Sequence, residues 1–209
     1  MAIVSDARAR PLLESDVDPD PLRQFERWFS DARSAGIQAP EAMAVATANA
    51  AGEPSVRMVL LRGFDEYGFV FYTSYESRKA RALAENAHAA LLFSWDALGR
   101  QVRIEGRAER VERAESAAYF RSRPRGHQAA AWASRQSAPI RDRGELQAAV
   151  REVERRFAGA EVELPPSWGG FRVAPSAYEF WQHREDRLHD RLAYRPNSAG
   201  GWRIERLSP

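Results

Sequence analysis

Residues 100–111, Arg-Gln-Val-Arg-Ile-Glu-Gly-Arg-Ala-Glu-Arg-Val, decide the fold class. Val102, Ile104 and Gly106 alternate with Arg103, Glu105 and Arg107. A period of two is what a strand with one buried face requires, because successive side chains point to opposite faces. Asp96-Ala97-Leu98-Gly99 joins this run to another at 89–95. Three more runs lie upstream, at 43–47, 56–62 and 69–73, separated by the turn-like Ala51-Gly52-Glu53-Pro54 and Asp65-Glu66-Tyr67-Gly68. Four follow Pro165-Pro166, at 170–173, 178–183, 187–195 and 202–207. Helical text is sparser. Asp20 suits an N-cap and Pro21 a first helical position; Phe25, Trp28, Phe29 and Ala32 recur at helical spacing before Gly36. Further helices are expected at 77–86, 113–121 and 143–157, with a long polar loop at 122–142. Strands that follow one another, rather than alternating with helices, predict a mainly β domain: a closed or partly closed antiparallel barrel of around eight strands, plugged or flanked by helices. That single domain spans 20–209, after an aperiodic arm over 1–19 that is expected to be mobile.

Composition narrows the function. The chain has 209 residues, 44% hydrophobic and 29% charged, enough to bury a core without staples. It has no cysteine, which excludes disulfides, thiolate metal sites and a Cys nucleophile. The first residues, MAIVSDARAR, hold no signal-type apolar stretch, and no apolar run reaches the ~18 residues of a membrane span, so a cytoplasmic, non-membrane protein is expected. The net charge is only +2, and arginines are interleaved with Asp and Glu, which argues against nucleic-acid binding. Glycine-rich phosphate loops, GxSxG and HExxH are absent, and His88, His127, His183 and His189 lack metal-ligand spacing; no metal is expected.

Three clusters stand out. Arg57-Met58-Val59-Leu60-Leu61-Arg62 carries an arginine at each end of an apolar strand core, either to clamp an anion or to face water. Tyr72-Thr73-Ser74-Tyr75-Glu76-Ser77-Arg78-Lys79 runs from a strand into a helix start. Free N–H groups at that start, with Ser77, Arg78 and Lys79, suit a phosphate; the alternative is an ordinary serine cap beside solvated cations. Lys79 is the only lysine beside thirty arginines. Arg187-Leu188-His189-Asp190-Arg191, read as a strand, puts Arg187, His189 and Arg191 on one face, where three cations call for an anionic ligand or for neighbouring carboxylates. Trp168 and Trp181 read as core or interface residues.

At these residues the chain resembles the pyridoxamine 5′-phosphate oxidase family. The resemblance covers about 21–209 and rests on ordered motifs: RMVLLR, FYTSYESRKA, GRQV, YFRSRPR, SRQS, WGGFRV, EFWQ, RLHDR and WRIERLSP. It implies an FMN-binding split β-barrel and a homodimer with FMN sites at the interface. The implied reaction is oxidation of pyridoxine or pyridoxamine 5′-phosphate to pyridoxal 5′-phosphate, with O2 reduced to H2O2. Flavin contacts would be Arg57, Met58, Val59, Leu60, Tyr72, Thr73, Arg78, Lys79, Gln101, Gln136, Ser137, Trp181 and Arg191. Substrate contacts would be Arg62, Tyr119, Arg123, His127, Arg187 and His189, the last two catalytic. Arg62 stands where the family usually has lysine, and His127 where a serine is common; residues 1–19 lack the usual Arg and Tyr pattern. Other readings are a related flavin oxidase of a non-phosphorylated ring, of the phenazine-precursor type, and a non-catalytic binder of FMN or pyridoxal phosphate.

Overall fold

A computed structural model of the chain describes residues 10–209. Nine strands are present among them: β1 (Ala42–Ala48), β2 (Pro54–Leu60), β3 (Gly63–Asp65), β4 (Gly68–Ser74), β5 (His88–Trp95), β6 (Arg100–Arg110), β7 (Trp168–Gln182), β8 (Asp190–Pro196) and β9 (Trp202–Arg206). Five α-helices accompany them: α1 (Pro21–Ser34), α2 (Arg78–Glu85), α3 (Arg113–Ser122), α4 (Arg125–Ala133) and α5 (Arg143–Arg156). The strands make one antiparallel sheet in the order β2-β1-β5-β6-β7-β4-β3, with β8 on β7 and β9 on β8.

β7 is the spine of the sheet. One edge pairs with β6; the other pairs first with β4, through 168–173, and then with β8, through 178–182. The register between β6 and β7 shifts at Glu105/Gly106, a bulge that bends the strands. A Cβ at Gly106 would come 2.1 Å from the Ala174 carbonyl oxygen, so only glycine fits there. The inward positions of β5, β6 and β7 carry the expected apolar side chains: Leu91, Phe93, Val102, Ile104 and Phe180 are fully buried. α1 plugs the concave side. Phe25 packs edge-on to Phe69 and Phe64 and near Phe93, at centroid distances of 4.9, 5.0 and 4.9 Å. Each such ring contributes about 1.5–3 kcal/mol on burial. The helix begins as expected, with the Asp20 carboxylate accepting from the Leu22 N–H. A second, smaller core lies under α3, α4 and α5, built on Phe120, Ala129, Val153, Phe157 and Trp168.

Four readings of local structure change. The loop expected at 122–142 contains α4, because the alanine-rich 128–133 favours helix and Ala129 is buried against Phe120 and Trp168. The runs at 170–173 and 178–183 are one strand, bent at the bulge rather than broken. The three-residue β3 is too short to show a period. The strand expected at 187–195 starts only at Asp190; Arg187 sits in a loop with φ 62°, a left-handed conformation that no strand residue adopts. The expected shared face of Arg187, His189 and Arg191 is therefore not present. Of the arm expected over 1–19, residues 1–9 lie outside the described residues. From Arg10 onward it is tied down: Leu12 is buried, its N–H donates to Asp190, and the Arg206 guanidinium holds the Glu14 carboxylate through Nε and Nη2.

Candidate active site

Between the end of β2, the end of β4, α2 and the α3–α4 turn lies a cavity of about 500 Å³. β2 contributes Met58, Val59 and Leu60, and the residues after it Arg62. β4 contributes Tyr72 and Thr73, and α2 contributes Lys79. Tyr119, Arg123 and His127 come from α3, the turn and α4, and Gln136 from the segment after α4. Ser122, Pro124 and Trp168 also line it and were not singled out as ligand contacts. The Arg-Pro pair at 123–124, a helix-breaking signal beside a cation, was the cue in the sequence.

One end of the cavity is built on the N-terminus of α2. Ser77 caps the helix by accepting from the Ala80 N–H. Lys79 is only 7% exposed and donates to Thr73 Oγ1 at 2.9 Å and to Gln136 Oε1 at 3.0 Å. Thr73 Oγ1 itself donates to Gln136 Oε1 at 2.8 Å. These partners are neutral, so no carboxylate answers the ammonium among them. Burial, with the Arg57 guanidinium nearby, pushes the Lys79 pKa down to about 8. Burial and Arg78 likewise hold Arg57 below its ordinary value. Arg57 donates to the Val45 carbonyl at 2.9 Å and Thr47 Oγ1 at 3.0 Å, and Ser137 Oγ accepts from the Arg78 N–H at 3.2 Å. Ser137 adopts φ 73° to reach that position. Cations that depress one another at a helix N-terminus, with neutral partners, form a site for an anion.

The other end is aromatic and cationic. Tyr72, Tyr119 and Trp168 stack nearly parallel, at 4.0 Å between the tyrosines and 5.5 Å from Tyr72 to Trp168. Gly170 makes room, since a Cβ there would meet the Tyr72 ring at 2.8 Å. The Tyr72 hydroxyl faces Glu115, and burial together with that carboxylate pushes its pKa up to about 12. The Arg123 guanidinium lies over Trp168 at 4.7 Å. Its Nη1 is buried without a hydrogen-bond partner, alone in that respect among the described residues. Burial lowers its pKa, and Arg62 adds to the effect.

The remaining expected site residues gather elsewhere. Gln101, Trp181 and Arg191 are neighbours in register across β6, β7 and β8. They lie on the face opposite the buried Val102, Phe180 and Leu192, so they point to the outside of the sheet. Arg191 donates to Glu179 at 2.9 Å and to the Ser208 carbonyl at 2.9 Å, and Glu179 also pairs with Arg103. His189 packs on Trp181 at 4.7 Å. Its Nδ1 accepts from the Arg184 N–H at 3.0 Å, so the neutral ring carries its proton on Nε2, free to donate. Arg187 is exposed at the loop tip. None of these five lines the cavity. Beside them the outer face of β2 and β5 is apolar: Val56 and Met58 are 68% and 65% exposed, with Leu60 and Leu92 nearby.

Comparison with known proteins agrees with this architecture. The profile described as "Pyridoxamine 5'-phosphate oxidase" matches residues 29–157, and that described as "Pyridoxine 5'-phosphate oxidase C-terminal dimerisation region" matches 168–209. A relative from Rubrobacter xylanophilus named pyridoxine/pyridoxamine 5′-phosphate oxidase is 57% identical, over 95% of this chain and 91% of its own. One of the same name from Bordetella petrii is 54% identical, over 95% and 93%. Among solved structures, PhzG from Burkholderia lata 383, in complex with tetrahydrophenazine-1-carboxylic acid, superposes with a TM-score of 0.89 at 32% identity, covering 97% of this chain and all of that one. A Nostoc punctiforme FMN-binding protein, at 17% identity and a TM-score of 0.71 over 88% and 97% of the two chains, shares the fold. With both halves of the sheet matched in order, the chain belongs to the pyridoxamine 5′-phosphate oxidase family.

Proposed function

We propose that this chain oxidises pyridoxine 5′-phosphate or pyridoxamine 5′-phosphate to pyridoxal 5′-phosphate with FMN as cofactor. The observation that carries the reading is one cavity with two cationic ends: Lys79 beside Arg57 at the helix start, and the unpartnered Arg123 nitrogen near Arg62 and His127. A phosphorylated cofactor and a phosphorylated substrate need two such ends. Arg78, Lys79, Arg57, Gln136 and Ser137 would hold the flavin phosphate, and Met58 to Leu60 with Tyr72 and Thr73 would flank the rest. Tyr119, Arg123, Arg62 and His127 would hold the substrate phosphate. Bound flavin supplies the hydride acceptor, and O2 restores it, giving H2O2.

A homodimer completes the site. Gln101, Trp181, Arg187, His189 and Arg191 lie outside the cavity of their own chain, beside an exposed apolar face that a second copy would cover. The match of 168–209 to a dimerisation region supports the same arrangement. Arg187 from the second copy would orient the C4′ substituent, His189 would donate from Nε2, and Trp181, Gln101 and Arg191 would contact the flavin. The likeness to PhzG raises a non-phosphorylated ring as a second substrate class. The buried Arg123 nitrogen calls for an anion, and a cluster of Arg123, Arg62 and His127 suits the nearly double charge and three oxygens of a phosphate better than the single carboxylate of the PhzG ligand.

Mixing the FMN-loaded protein with pyridoxine 5′-phosphate in the absence of air tests the reading. The flavin absorbance band should bleach, and admitting air should restore it with one pyridoxal 5′-phosphate and one H2O2 formed per turnover. Pyridoxine without the phosphate should react at least about 100-fold less efficiently, as expected when charge-assisted hydrogen bonds are lost. A flavin that stays oxidised with both B6 phosphates refutes the reading.

A further inference from the structure

The turn between α3 and α4 and the helix ends that flank it carry five cavity-lining residues: Tyr119, Ser122, Arg123, Pro124 and His127. It is a weak piece of chain by its own resources. α3 stops at Ser122, Arg123 and Pro124 are extended, and α4 starts at Arg125 with no side-chain cap at Pro124. A helix that ends this way leaves its last carbonyls without helical partners. Two side chains answer them: the Ser122 hydroxyl locally, on the Tyr119 carbonyl, and Gln128 from across the turn. Gln128, 9% exposed on the second turn of α4, directs its Nε2 at three carbonyl oxygens. They belong to Phe120 at 3.1 Å, Arg121 at 3.2 Å and Arg123 at 3.0 Å. An amide nitrogen has two hydrogens, so one is shared. Among the described residues the other ties here are the backbone bonds from Arg123 N–H to Phe120 and from the His127 and Gln128 N–H groups to Pro124, the Ser122 hydroxyl bond to Tyr119, and the Arg125 guanidinium, which holds the start of α4 to the Phe157 and Ala160 carbonyls but reaches none of the carbonyls of the turn.

We propose that Gln128 is a positioning residue for phosphate recognition: its amide locks the α3–α4 turn, and with it the direction of Arg123. This rests on the reading of Arg123 as a ligand of the substrate phosphate. Trp168 steadies the guanidinium from its face, and Gln128 steadies the backbone from which it springs. Gln128 touches neither substrate nor flavin in this arrangement, so it acts on substrate affinity and leaves the chemical step alone.

The test uses the FMN-loaded dimer and three variants: Gln128→Met, of equal length without a donor, Gln128→Asn, a shorter amide, and Arg123→Ala. Steady-state kinetics with pyridoxine 5′-phosphate and the binding of pyridoxal 5′-phosphate are measured beside flavin content and Tm. In Gln128→Met, KM and the product Kd should both rise about tenfold, the loss expected for about one net hydrogen bond, with kcat within about twofold of wild type and FMN retained. Gln128→Asn should fall between the two, and it decides the matter if Gln128→Met does not fold. A merely structural role lowers Tm and leaves KM and Kd of the folded protein unchanged, which overturns the proposal. If Arg123→Ala raises KM steeply while the Gln128 variants do not, only the positioning role falls. If Arg123→Ala also leaves KM unchanged, the phosphate reading falls with it.

Discussion

Replacing Arg78 and Lys79 together by Ala should give a folded protein that purifies without flavin. Both residues sit in the first turn of α2, where free N–H groups and the helix dipole favour an anion, and Ser77 keeps its cap in the variant. Two charge-assisted hydrogen bonds at about 1.5–3 kcal/mol each correspond to a weakening of FMN binding by about 10²–10⁴-fold. The loss should come without unfolding, because a buried ammonium with neutral partners is a cost to the unliganded protein. Linkage gives the same cluster a pH signature. The Lys79 pKa is lowered to about 8 in the folded chain, so that chain binds the proton less tightly than the unfolded one. Stability of the unliganded protein should therefore rise between about pH 8 and the ordinary lysine value near 10.4. FMN binding should weaken over the same range, since the phosphate must then recruit a proton to Lys79. Denaturant unfolding of the flavin-free protein at pH 8 and pH 10 checks the first statement, and fluorescence quenching of FMN at pH 7 and pH 9 the second. Wild-type affinity in the double variant, or affinity independent of pH in the native chain, contradicts the assignment.

Arg187→Leu should lower kcat by about 10²–10³-fold, the size lost when one preorganised donor is removed from an active site. FMN content should stay at the wild-type level, because Arg187 stands at an exposed loop tip and supports no other residue of the cavity. Its φ of 62° is a conformation that costs a non-glycine residue energy, and leucine must adopt it too. A control at the neighbouring exposed Leu188 separates loop strain from loss of the guanidinium: Leu188→Ala should leave kcat near wild type. Near-normal turnover of Arg187→Leu removes Arg187 from the chemistry.

What was legible in the sequence follows the physics of each segment. The alternation at 100–111 read correctly because one face of β6 is buried while the other is half-buried at Gln101, Arg103 and Glu105 and exposed from Arg107 onward. The start of α1 read correctly because Asp20 and Pro21 are local signals that need no tertiary information. The helix start at Ser77 and its cations were visible for the same reason, and the structure places Lys79 against Thr73 and Gln136. The loop at 187–189 misled, because nothing in Arg-Leu-His before a strand marks where pairing stops; the backbone instead turns there, with Arg187 left-handed and its N–H on the Arg184 carbonyl. α4 was missed, although 128–133 is rich in alanine, because it is only nine residues long and the burial that marks it, against Phe120 of α3 and Trp168 of β7, is tertiary. Gln128 and Glu179 were missed for a related reason. Their partners lie on other elements, and nothing in a lone Gln or Glu announces them.

In the proposed homodimer each site is assembled from two copies of the chain. The two variants above test it directly when they are combined in one dimer. Chains carrying Arg78→Ala with Lys79→Ala are co-expressed with chains carrying Arg187→Leu, each under a different affinity tag, and the mixed dimer is isolated. One of its two sites then receives both damaged halves and the other receives both intact halves. The mixed dimer should bind about one FMN per dimer and show about half the wild-type pyridoxal 5′-phosphate formation, although each parent dimer is nearly inactive. A mixed dimer as inactive as its parents would mean that both halves of each site come from the same chain, and would contradict the account.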